Sequence, residues 1–91
     1  MKYMITFPIE KNTFKETVAR FLDNGGLPPT GVTMLGRWHA IGGDEAFILA
    51  ETDDPRGIYK WLSGWNDLLD FKVVPVIEDE DAQPILQELK L

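Results

Sequence analysis

The chain has no cysteine, one histidine and no apolar run approaching the ~20 residues needed to span a bilayer. The first absence excludes disulfides, thiolate metal sites and cysteine nucleophiles, and it fits a cytoplasmic location. The second leaves His39 as the one side chain whose ordinary pKa lies near neutrality. A transition-metal centre would have to be built mostly from carboxylates, and none stands at a recognisable ligand spacing, so neither metal nor cofactor is expected. Positive charge is also short. Nine Lys and Arg against 15 Asp and Glu give a formal net charge of −6, which argues against nucleic acid and anionic membranes as partners. The opening MKYMITFPIEKN lacks the apolar core and small-residue cleavage site of a signal peptide. No phosphate-cradling glycine loop with its lysine occurs, and no nucleophile elbow. What remains is ordinary: 91 residues, 44% apolar and 26% charged, read as one globular domain with a single modest core.

The most informative stretch is Gly31 to Asp54, GVTMLGRWHAIGGDEAFILAETDD. Val32 to Ile41 and Glu45 to Thr52 are rich in residues that suit a pleated surface, and Gly42-Gly43 can take the positive φ of a tight hairpin turn. A two-residue loop sets His39 opposite Ala46, Arg37 opposite Ile48 and Leu35 opposite Ala50. Met34, Trp38, Phe47, Leu49 and Glu51 then occupy the other face. A three-residue loop would shift that register, and a bulge at Gly36 would exchange the faces of Trp38 and His39.

Around the hairpin, Lys2 to Phe7 reads as a strand ended by Pro8 and apolar on both sides, as a central strand covered on both faces would be. Asn12 to Asn24 reads as a helix with the stripe Phe14, Val18, Phe21, Leu22. Thr13 and Glu16 have capping-box spacing, and Asn24-Gly25-Gly26 forms the stop. Asp54 can cap a second helix that starts at Pro55 and turns Ile58, Trp61, Leu62 and Trp65 to one side. Phe71 to Ile77 is the last strand, and Pro75 assigns it to an edge. The acidic run Glu78 to Asp81 leads into a short helix, Ala82 to Lys90, with Pro84 in its first turn. The order strand–helix–strand–strand–helix–strand predicts an α+β, ferredoxin-like βαββαβ sandwich with a four-stranded antiparallel sheet in the order 4-1-3-2.

Three segments, LGRWH (Leu35 to His39), ETDDP (Glu51 to Pro55) and WNDLLDFKVVPV (Trp65 to Val76), resemble a bacterial family of domains of unknown function, family 3303, here placed among the dimeric α+β barrels. The likeness covers nearly the whole chain. It implies the fold and a homodimer, and it brings no activity. The residues support the dimer independently. Both sides of the strands are apolar, with Met4, Phe47, Leu49, Val74 and Val76 opposite the core set, and two helices cover only one side. An exposed face of that kind is commonly closed against a second copy, often over more than ~2,000 Å².

The candidate chemistry centres on Arg37 and His39, two residues apart and therefore on one face of a regular strand. Together they suit an anionic or hydroxylated ligand, with Trp38 or Trp65 as an apolar wall. The plain structural alternatives are an Arg37–Glu51 pair and a solvated His39 near the turn. Two functions follow. The first is a homodimeric domain binding a small, anionic or aromatic molecule in a sheet–helix or barrel pocket. The second is a cofactor-independent, monooxygenase- or isomerase-like enzyme using His39 and Arg37. The scarcity of other acid–base groups favours the first.

Overall fold

The computed structural model describes residues 1–89. Strand β1 (Lys2–Pro8) leads through a short 3-10 turn (Lys11–Thr13) into helix α1 (Phe14–Asn24). Strands β2 (Val32–His39) and β3 (Glu45–Thr52), helix α2 (Arg56–Ser63), strand β4 (Lys72–Val76) and helix α3 (Asp79–Leu89) follow. The four strands make one antiparallel sheet ordered β2-β3-β1-β4, which is 4-1-3-2 read from the other edge. The fold is ferredoxin-like α+β. Pro75 lies on an edge strand, the position where a sheet tolerates a missing amide.

Alternation along the strands separates two faces. Ile5 and Phe7 of β1 and Ala46, Ile48 and Ala50 of β3 are buried together with Ile58, Trp61 and Leu62 of α2. This is the core, and the spacing of those three α2 residues turns one side of the helix onto it. The opposite face is open: Met4, Val74 and Trp38 are 37%, 39% and 55% exposed. β1 is therefore central in the sheet, as expected, but covered on only one side within the chain.

The hairpin keeps the register of the Gly42-Gly43 loop at its tip, with His39 opposite Ala46 and Arg37 opposite Ile48. Only Gly43 takes a positive φ, at 76°, and its N–H closes the turn on the Ala40 carbonyl at 2.8 Å. Further along, Gly36 pairs with Leu49 and Met34 with Ala50, so Leu35 is the extra residue of a bulge. Met34 consequently joins Arg37 and His39 on the helix side, which corrects the facing expected for it, and Leu35 does not oppose Ala50. Beyond the bulge Val32 is also turned inward, and it is 7% exposed.

Helix ends follow their local chemistry with two exceptions. Gly25, at φ 73°, ends α1 in the left-handed conformation and donates its N–H to Phe21 O at 2.7 Å. The Asp54 carboxylate accepts the Arg56 N–H at 3.0 Å while Pro55 already has helical angles, as a cap followed by proline should. The expected capping box at Thr13 does not form. Its side chain makes no capping bond, because the preceding residues coil into the 3-10 turn, and its Oγ1 is buried without a partner. Helix α3 starts at Asp79, so the acidic run forms its first turn and Pro84 falls inside the helix rather than in that turn. The expected end at Lys90 lies outside the described residues. No α3 residue is buried, and Ile85, Leu86 and Leu89 are each more than half exposed.

Thr52 joins the end of β3 to its surroundings. It is 5% exposed, its hydroxyl reaches Gly31 O at 2.9 Å and Asp54 O at 3.1 Å, and it accepts the Asp54 N–H at 3.1 Å. Thr52→Val keeps the shape and strands those groups. It is expected to cost about 1–3 kcal/mol in urea unfolding; an unchanged midpoint would show that the hydroxyl contributes nothing.

Candidate functional site

Between the inner face of the sheet and α1 lies a cavity of about 370 Å³. Ala46 and Ile48 of β3 line it from the sheet side. The expected stripe Phe14, Val18, Phe21 and Leu22 does face the sheet side and lines this cavity. It does not close it, and Leu22 remains 78% exposed. Trp65, Leu69 and Phe71 form the far wall.

Two arginines hold α1 over this space. Arg37 donates from Nη1 to Gly25 O at 3.0 Å and from Nη2 to Gly26 O at 2.8 Å, with Met34 Sδ 3.0 Å from Nη2. Trp61 Nε1 donates to the same Gly26 carbonyl at 3.3 Å. A cation suits carbonyls at the end of a helix. Gly26 sits at φ 56°, and a Cβ there would come within 3.1 Å of Arg37 Nη1, so glycine allows the close approach. On the outer side Arg20 donates to both Asp67 carboxylate oxygens, at 2.7 and 2.8 Å, and to Gly64 O at 3.0 Å. Its guanidinium also lies 5.5 Å from the Trp65 ring.

Arg37 is not paired with Glu51, which the register puts opposite Thr33 on the other face. Its guanidinium lies 4.9 Å from the Phe21 ring, and its Nε is buried with no acceptor. Burial pushes this guanidinium below its ordinary pKa, as desolvation of a cation must. His39, at the exposed end of β2, sits with its ring 5.9 Å from that of Phe21. Arg37, His39 and Trp65 thus line one cavity. Trp38 does not. The alternation of β2 turns it to the open face, where its ring lies over Gly36: a Cβ on that glycine would stand 2.4 Å from Trp38 Cη2. Of the two tryptophans considered as an apolar wall, the cavity has Trp65.

Thr17 was not singled out by the sequence. It is 7% exposed, lines the cavity, and its Oγ1 has no hydrogen-bond partner. The signal was available, since Thr17 lies three residues after Phe14 and four before Phe21 and so falls on the apolar stripe. Among the described residues no group of three or more His, Asp or Glu side chains is positioned to hold a metal ion, and no helix is long and apolar enough to cross a membrane.

A family model, domain of unknown function DUF3303, matches residues 1–90. The chain belongs to that family. No curated protein matches it. In this DUF3303 domain the cavity has mostly apolar walls, with Thr17, Arg37, His39 and Glu45 also among its lining residues.

The Arg20 clamp has a measurable signature. Hydrogen bonds from Arg20 hold the Asp67 carboxyl below its ordinary value. A depressed carboxyl stabilises the fold above the unfolded pKa and loses that contribution as pH falls through the folded one. NMR titration should therefore give Asp67 a midpoint below ~3.9 that rises toward that value in Arg20→Gln. Equal midpoints in the two proteins would mean that the pair does not persist in solution.

Proposed function

We propose that this domain is a homodimeric, non-catalytic binding module that takes a small, largely apolar molecule into the cavity between the sheet and α1. The observation that carries the reading is the cavity itself: mostly apolar side chains line about 370 Å³ that α1 leaves unfilled, with Arg37 among them. A helix serving only the core would bring its stripe down onto the sheet, because close packing is the ordinary state of protein interiors. The zero cysteine count supports a cytoplasmic setting.

The open sheet face supports the dimer. Met4, Val74 and Trp38 lie there beside the half-buried Phe47, Leu49 and Val76. Covering that face with a second copy would give the dimeric α+β barrel of the bacterial proteins that the chain resembles.

The second reading is a cofactor-independent, monooxygenase- or isomerase-like enzyme with His39 as acid–base group and Arg37 as anion holder. Their shared place on the cavity wall is what favours it. Binding without turnover is preferred because, among the described residues, no hydrogen bond orients the His39 ring, and a general base needs a fixed tautomer and direction.

Two measurements test these readings. The neutral fluorophore N-phenyl-1-naphthylamine should bind at about one per chain, and Ala46→Leu, which fills the cavity floor, should abolish binding without unfolding the protein. Binding that survives Ala46→Leu and is lost in Val74→Lys would move the site to the open face. In light scattering, the protein should be a dimer at micromolar concentration and Val74→Lys a monomer. A monomeric wild type refutes the dimer.

A further inference from the structure

Resting on the cavity's being a ligand site, a second inference concerns the chemical class of what it holds. Three features converge. The first is the hydrogen-bonding state of Arg37, whose Nη1 and Nη2 are engaged by carbonyls while Nε–H is buried and has no acceptor. The second is its charge. The ion pairs among the described residues are Lys2–Glu78, Arg20–Asp67 and Arg56–Asp54, so no carboxylate among those residues pairs with Arg37. A half-buried cation in that condition is costly, and a donor left unpaired adds to the cost. The third is Thr17, whose buried hydroxyl also lacks a partner, one helical turn from the Phe21 ring against which Arg37 rests. Both unpartnered groups belong to residues that line the cavity, and each can donate.

We propose that the cavity binds a monocarboxylate with a compact aromatic or branched body. One carboxylate oxygen accepts from Arg37 Nε–H and the other from the Thr17 hydroxyl, while the body lies against Phe14, Trp65 and Leu62. A carboxylate supplies both the missing charge and acceptors for both donors, which a neutral hydroxyl or a hydrocarbon does not. One negative charge is favoured over two, because Glu45 also lines the cavity and the chain carries a formal net charge of −6.

The matched pair 4-isopropylbenzoate and 4-isopropylbenzamide tests this, since the two share body and shape and differ in charge. Displacement of bound N-phenyl-1-naphthylamine should show the benzoate binding at least about tenfold more tightly, as charge-assisted hydrogen bonds in a desolvated site allow. Thr17→Val, which is isosteric, should weaken the benzoate several-fold. Arg37→Lys, which keeps the charge and removes the Nε donor, should narrow the ratio further. Equal affinity for the two compounds overturns the carboxylate assignment while leaving the cavity as a binding site. Displacement by neither compound, with the fluorophore still bound, overturns it equally. Failure of the fluorophore to bind at all removes the underlying reading as well.

Discussion

At its C-terminal end α1 is tied to the sheet by the Arg37 guanidinium, which donates to the Gly25 and Gly26 carbonyls. A helix that buries its stripe needs no such tie, since apolar contact fixes it. Here the stripe faces space, and polar bonds at the end and the outer side of the helix do the holding. The cavity, the proximity of Arg37 to Phe21 and the exposure of Leu22 all follow from that arrangement. Gly26 is part of the same constraint. Its left-handed backbone presents a carbonyl to both Arg37 and Trp61 Nε1, and a side chain there would push the guanidinium away.

The elements and their order were legible because most of them carry a local signal. Ile58, Trp61 and Leu62 repeat at helical spacing and are buried, and Pro75 places its strand at an edge. The helix stop at Asn24-Gly25 is written in residues that tolerate left-handed angles. Where the reading failed, a nonlocal or finely balanced preference decided. Thr13 has the right spacing for a capping box, yet the chain before it tightens into a 3-10 turn and the hydroxyl finds no amide. An acidic run suits a helix start or the stretch before one about equally, and the ladder of α3 fixes the earlier limit.

The site was legible only in part, for a related reason. Strand alternation puts Arg37 and His39 on one face whatever covers that face, so their pairing could be read directly. Whether a helix lies against them or above them depends on side-chain volumes across the sheet. No window of sequence shows that Ala46 of β3 and Phe21 of α1 line the same cavity. Thr17 illustrates the same limit: its place on the stripe is local, while its lack of a partner depends on how far the helix stands from the sheet. Membership of DUF3303 adds the assurance that the match extends over residues 1–90, and so includes both walls of the cavity.

The bulge at Leu35 has a consequence for how the chain tolerates changes in length. Val32 and Arg37 are separated by an odd number of positions, so an unbroken strand would send one of them to each side of the sheet. Leu35 restores the parity and both point inward. Removing Leu35 would make the separation even and preserve that parity through an ordinary ladder, but it would also take out the bend that a bulge gives an edge strand. The guanidinium would still face the helix while its strand ran in a different direction from Gly25 and Gly26. A single-residue deletion here is thus an adjustment of aim, and it alters the tether of α1 without changing any side chain that forms it.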